Sequence, residues 1–332
     1  MTSTPHAIPA WKALATATAT ATALSLAAAA PVAADTFPER EVQMIIPFGP
    51  GGATDIIFRL IAAEAEKHLG QAIVPVNMAG AGATRGSRHV LDAEPDGYTV
   101  LGSHDTIALS NLAGMVDYSY DAFAPIALVT QTINIASTYA DHPVQSASEI
   151  ADYVAENPGQ VRFSMIPTST DHFFWAQFFD AAGISMDDVR MVGYPDTGEQ
   201  VAALMAGEID FTVLNMPSGG SHYEAGTFRP LGVAHIERLG SLPDGATMEE
   251  QGIALQHATS RGIFAPLGTP QDRIDTLAAA FGAALENAEL VARIESEFGS
   301  IVRFLQGDDY QAFLDDNLEG LTRAAENIDF EG

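Results

Sequence analysis

Ile45-Ile46-Pro47-Phe48-Gly49-Pro50-Gly51-Gly52-Ala53-Thr54-Asp55 begins as the tail of an aliphatic run and ends as the head of an amphipathic one. Upstream, residues 41–48 (EVQMIIPF) read as a strand. Downstream, residues 54–69 put Ile56, Ile57, Leu60 and Ile61 on one helical face and Arg59 and Glu66 on the other, with Gly70 as the stop. A glycine-rich turn between a strand and a helix is an anion-binding arrangement. No Cβ keeps a ligand from the turn's N–H groups, and the helix start adds free N–H groups and partial positive charge. Phe48, Gly49, Gly51, Gly52, Ala53, Thr54 and Asp55 are therefore candidate ligand-binding residues. The alternative is a plain tight turn with Thr54 as N-cap and Asp55 in the first helical turn. The stretch is not a nucleotide loop, because it lacks the Lys-Ser/Thr ending and misses the dinucleotide spacing.

Working outward, residues 72–76 read as a strand, 85–93 as a helix, and 98–102 as a strand after the Pro95-Asp96-Gly97 turn, giving β-α-β-α-β. A second glycine-rich turn, Asn77 to Thr84, follows the second strand. It should share the carboxyl edge of the same sheet with the first, and it contributes Gly82. Ser103 and His104 stand at the end of the third strand and are candidate ligand-binding residues, with a satisfied structural histidine as the alternative for His104. A similar set follows: strand 133–139, helix 148–156, strand 161–165, helix 170–182, strand 189–192, helix 199–206 and strand 209–213. Its first strand-to-helix turn carries Thr168, Ser169 and Thr170, hydroxyls that bind a carboxylate without charge; a helix cap by Ser169 or Thr170 explains them equally. Tyr194 and Asn215 open two more such turns. A strand at 263–266 precedes a helix expected to be capped by Thr269, with Pro270 in its first turn and Ile274, Leu277, Phe281 and Leu285 inward. The last helix spans about 309–327. The expected fold class is α/β: two lobes, each a mainly parallel sheet flanked by helices, crossed by chain near 133–138 and 258–264, where a hinge results. The expected boundaries are 35–133 with 259–332 for lobe 1 and 134–258 for lobe 2.

Of the 332 residues, 47% are hydrophobic, enough for two cores. Against 43 Asp and Glu stand 15 Lys and Arg, and the net charge of −28 argues against nucleic acid and against an anionic membrane surface as partners. An excess this large fits saline surroundings, where screening shortens charge repulsion. The absence of cysteine excludes disulfides, thiol nucleophiles and thiolate metal sites. Lys12, the Ala/Thr/Leu-rich run 13–30 and Val32-Ala33-Ala34 read as a secretory signal cleaved after Ala34, which places the mature chain in the periplasm; the alternatives are a transmembrane anchor, for which Ala and Thr are weakly apolar, and a cytoplasmic tail. No nucleophile elbow, His-Glu-x-x-His or paired histidine ligand appears, so no catalytic residue, metal or cofactor is expected. Arg162, Arg190 and Arg261 lie at or near strands, where any of them could pair a ligand carboxylate, but surface ion pairing is the default expectation for each in so acidic a protein.

These residues resemble the receptors of tripartite tricarboxylate transporters, the Bug or TctC-type family. The resemblance rests on residues 46–55, Asn77 with Gly80-Ala81-Gly82, Pro95 to Thr99, Ala206 to Phe211, and Phe264-Ala265-Pro266 with Gly268-Thr269-Pro270, in the family's order. It implies a type II periplasmic-binding-protein fold whose ligand lies between the lobes, held at one carboxylate by Gly49, Gly51, Gly52, Thr54 and Asp55 and partly through water. It also implies a monomeric solute receptor, not an enzyme, that hands a small carboxylate to membrane permease subunits. Two departures from the family stand out: Pro167 and Asp171 in the usually Gly/Ser-rich second-lobe turn, and Met78-Ala79 where Arg-Pro is common. Rival readings are a receptor presenting its ligand to a sensor kinase and an enzyme using Asp55, His104 or Asp171.

Overall fold

Chain alternation between short aliphatic strands and amphipathic helices produces the element order directly. The computed structural model describes residues 36–194, 196–326 and 328; the expected leader and its cleavage point after Ala34 lie outside them. β1 (Val42–Ile46), α1 (Ala53–Leu69), β2 (Ile73–Asn77), α2 (Thr84–Leu91), β3 (Thr99–Ser103), α3 (Thr106–Leu112) and β4 (Phe123–Ile133) come first. β5 (Ile135–Tyr139), α4 (Ile150–Glu156), β6 (Arg162–Met165), α5 (Thr170–Ala182), β7 (Arg190–Gly193), α6 (Thr197–Met205), β8 (Thr212–Leu214), α7 (Met216–Glu224) and β9 (Phe228–Val233) follow. β10 (Ala258–Pro266), α8 (Gln271–Ala284), α9 (Ala288–Phe298), β11 (Ser300–Gln306) and α10 (Gly307–Ala325) close the chain. α1 stops where the sequence predicts, at Gly70 with φ 78°, whose N–H closes on Glu66 O.

The first sheet has the order β11-β4-β10-β3-β1-β2, with β1 to β4 running one way and β10 and β11 the other. One of its faces packs Met44, Ile46, Val100 and Ile263 against α1 and α8; the other packs Ile45, Leu101, Leu128 and Phe264 against α10. Beyond β4 the chain builds β8-β5-β9 and the parallel pair β6-β7, which Phe163 and Phe211 join by a parallel bridge. Phe163, Phe174, Trp175, Phe178 and Phe211 fill the core there.

Register decides where the functional turns lie. Ala258 of β10 pairs with Ile133 at the end of β4, and Gly262 pairs with Ser103 at the end of β3, so β1, β2 and β3 point their carboxyl ends toward the chain crossing. Past the crossing, Ile135 pairs with Leu214, the last residue of β8, so β6, β7 and β8 also end there. Both groups of strand-to-helix turns therefore flank the crossing. The crossing segments hold each other: Asn134 N–H donates to His257 O at 3.2 Å, and Ala234 N–H donates to Asn134 O at 3.0 Å.

Several expectations are corrected. The strand expected at 133–139 is broken at Asn134, and the long β4 before it reads poorly from sequence because its run from Ile126 to Ile133 is buried on both faces and lacks alternation. β10 begins at Ala258 rather than 263. Thr269 does not cap α8: Pro270 occupies the N-cap, and the Thr269 hydroxyl donates to Pro266 O at 2.8 Å. α5 leaves its own sheet on one side to bury Phe173 and Ala176 beside Leu314 and Leu321 of α10, a contact that no sequence period announces.

Candidate functional site

Gly52 is the N-cap of α1 and brings no side chain, so the first-turn N–H groups have no side-chain acceptor. Gly51 adopts φ +87°, and a Cβ on Gly49, Gly51 or Gly52 would meet nothing within 4 Å, so the turn is open on its outer side. The inner side is braced. Gly51 N–H donates to Asp55 Oδ2 at 2.9 Å, while Asp55 Oδ1 accepts from Arg59 Nε and Asn77 Nδ2, both at 2.8 Å. Asn77 Nδ2 also donates to Phe48 O at 3.0 Å. Burial pushes the Asp55 carboxyl up, but the bonds from Gly51, Asn77 and Arg59 outweigh it and hold it below its ordinary value. Asp55 thus turns inward and shapes the turn, and the Gly51 N–H is engaged with it.

Thr54 is also turned inward: its hydroxyl accepts from Arg261 Nε at 3.0 Å, and Arg261 Nη1 donates to Thr132 Oγ1 at 2.6 Å. Arg261 is only 4% exposed, which corrects the expectation of surface ion pairing. Arg162, by contrast, makes a two-point pair with Asp210 at 3.0 and 2.8 Å. Phe48 stacks on His104 with centroids 4.5 Å apart and planes 4° from parallel. Burial, and then the Arg261 charge, push His104 down to about 3, so it is a neutral imidazole, and its buried Nδ1 has no hydrogen-bond partner. Beside it, burial pushes Asp105 up to about 6, although it accepts from Ser260 N–H and Asn317 Nδ2, both at 2.8 Å. Ser103 is fully buried.

The second glycine turn winds through positive φ at Gly80, Ala81, Gly82 and Ala83, and Ser110 Oγ donates to Gly82 O at 3.1 Å. Gly86 lets α2 seat against the first turn, since a Cβ there would lie 2.7 Å from Pro47 Cβ. Across the crossing the design recurs. α5 has Ser169 as an N-cap that makes no side-chain cap bond, and Asp171 in its first turn reaches back to Ile166 N–H at 2.9 Å, as Asp55 reaches Gly51. Gln200 Nε2 donates to the same Oδ2 at 2.7 Å, and the Ser169 hydroxyl lies against Oδ1. Asp171 is therefore an internal brace, its carboxyl raised by burial. Thr168 holds φ +60°. Among the described residues the non-glycine positions with positive φ are Ala81, Ala83 and Thr168, all in these turns; such strain concentrates where backbone is shaped for a ligand.

The remaining candidates sit at the same edge. Tyr194 follows β7, its N–H on Met165 O at 2.8 Å and its ring packed in the cluster of Leu204 and Ile209. Asn215 caps α7 in a reciprocal bond pair with Ser218. A cavity of about 540 Å³ lies on the α10 side of the crossing, between α5, α10 and β10; of the candidates only Thr170 lines it. Sequence reasoning passed over Asp105 and the buried state of Arg261, whose signal was their position next to strand ends that pair in register.

A family model described as tripartite tricarboxylate transporter family receptor matches residues 57–329. The chain belongs to that family. Protein BugT of Bordetella pertussis is 28% identical over 295 residues, 87% of this chain and 90% of that one. MatC of Rhodopseudomonas palustris, solved with bound malate, is 27% identical with a TM-score of 0.69, covering 87% of this receptor and 100% of that chain. The R. palustris protein Rpa4515 with adipate is 25% identical with a TM-score of 0.73, covering 87% and 98%. The fold is the two-lobed type II periplasmic-binding-protein fold, and the family is one of solute receptors, not enzymes.

Proposed function

We propose that this receptor captures a small carboxylate between two lobes, 35–133 with 259–332 and 134–258, and delivers it to the membrane permease subunits of a tripartite tricarboxylate-type transporter. The observation that carries the reading is the pair of helix starts, α1 and α5, which lack a side-chain cap and flank the same crossing behind glycine- or hydroxyl-lined turns. The malate and adipate held by the two R. palustris relatives support a carboxylate ligand. Phe48, Gly49, Gly52, Ala53 and Gly82 offer backbone, and His104, Thr168, Thr170 and Tyr194 offer side-chain groups around it, while Ser103, Ser169 and Asn215, whose side chains are buried or engaged within their own turns, shape the same edge. Gly51, Thr54 and Asp55 hold the first turn in shape. Closure about residues 133–135 and 256–258 expels water from the bound carboxylates, which strengthens each N–H contact. The mature protein works in the periplasm as a monomer.

Thermal midpoints of residues 35–332 with malate, adipate, citrate and aromatic acids, each beside its neutral amide, test this. Ligand at about 100 times its Kd adds roughly 2.7 kcal/mol to stability. A rise with an acid and none with its amide is expected; no rise with any acid, on protein free of copurified ligand, overturns the carboxylate reading.

A further inference from the structure

Arg261 is a cation in an unusual position. It lies on β10 next to the crossing and is 4% exposed, and its Nε and Nη1 donate to two neutral hydroxyls, those of Thr54 and Thr132. Among the described residues no carboxylate comes within ion-pair distance of it. The carboxylate that acts on it at longer range, Asp105, makes no ion pair with it and accepts instead from Ser260 N–H and Asn317 Nδ2, so its charge offsets that of Arg261 only in part. A buried charge without a paired carboxylate is costly, and structures that keep one usually complete it with a partner. Arg59, at the same turn, is already paired with Asp55 at 2.8 Å. Arg261 instead touches Thr54, whose own N–H belongs to the open first turn of α1.

Whole-molecule charge sharpens the point. A protein of net charge −28 repels an anionic ligand at long range, so capture needs a local positive potential at the binding turn. Backbone dipoles supply part of it; a guanidinium fixed behind Thr54 supplies a full charge in surroundings that screen it little.

We propose that Arg261 is a specificity-determining residue of the cleft: through Thr54 it fixes a positive charge that has no ion-pair partner behind the first glycine turn, which selects an ionised carboxylate at that end of the ligand. It positions charge and does not touch the ligand. This inference rests on the carboxylate reading above and names the residue that enforces it.

The test compares wild type with Arg261→Met, Arg261→Gln and Arg261→Lys by calorimetric titration with malate and with adipate. Far-UV circular dichroism without ligand checks the fold of each. Met and Gln weaken binding of the acid that wild type holds at least tenfold, about 1.4 kcal/mol. Lys, which keeps the charge but not the fork, stays within about threefold of wild type. A purely structural role would make Lys as damaging as Gln, since both lose the two-hydroxyl geometry; that result, or unchanged affinity in the Met or Gln variant, overturns the proposal. If Met does not fold, Gln against Lys decides it. A wild type that binds no acid in the wider carboxylate panel overturns the carboxylate reading, and Arg261's role with it; a wild type that binds an acid while all variants bind equally overturns Arg261's role alone.

Discussion

Gly51 of the first turn and His104, which stacks on that turn's Phe48, carry separable predictions. Gly51 sits at φ +87° with open space around its Cβ position, so a Cβ there meets nothing and the cost to expect is backbone strain, about 1–2 kcal/mol. Gly51→Val should leave the protein folded and weaken carboxylate binding more than tenfold, because relief of that strain pulls the N–H off Asp55 and reshapes the turn. Unchanged affinity in titration would remove the turn from the site. His104 titrates near 3 when folded, against about 6.5 when free. A histidine with a depressed folded pKa contributes stability that is fully present above the unfolded value and drains away as pH falls toward the folded one. His257, at about 4 through burial, acts in the same direction, while Asp105, at about 6, acts oppositely by favouring its proton in the folded state. His104→Phe keeps the stack on Phe48 and should flatten the loss of thermal midpoint between about pH 6.5 and about pH 4; equal slopes in both proteins would show that the imidazole is not held neutral.

At the scale of elements, α1 and α5 solve one problem in the same way. Each begins without a side-chain cap, and each carries an aspartate in its first turn that ties down the preceding turn: Asp55 on Gly51 N–H, Asp171 on Ile166 N–H. The acid that the sequence suggested as a negative charge in the second half of the site is spent inside the element. Asp171→Ala leaves Ile166 N–H and the Gln200 amide without their acceptor, and buried donors left unpaired cost about 1–3 kcal/mol each. Urea unfolding should show a loss of about 2–6 kcal/mol at constant m-value; a loss under about 0.5 kcal/mol, within the range of an ordinary surface change, would mean that the brace is idle.

At the scale of the molecule, the crossing is supported on two sides. α5 buries Phe173 and Ala176 against α10 on one, and on the other Gly299 approaches α7 so closely that a Cβ would lie 2.3 Å from Met216 Cβ. The closure proposed above would turn about a braced axis rather than a bare pair of strands. The net charge of −28 belongs to this scale as well. Screening shortens from about 30 Å at 0.01 M salt to about 3 Å at 1 M, so self-repulsion falls and the thermal midpoint should climb over that range. A midpoint indifferent to salt would end the reading of the acidic surface as an adaptation to saline surroundings.

The residue order alone determined the strand-turn-helix units, the glycine turns at their carboxyl edges and the stop of α1 at Gly70, because these depend on φ freedom, caps and periods that act within a few residues. It did not determine the directions of Asp55, Asp171 and Arg261. A carboxylate in a first helical turn is equally suited to a ligand or to its own loop, and only the placement of Asn77, Gln200 and Thr132, each brought in from distant sequence, decided where those charges point. β4 escaped the sequence for the related reason that a strand buried on both faces has no alternation to read, and tertiary burial created that condition.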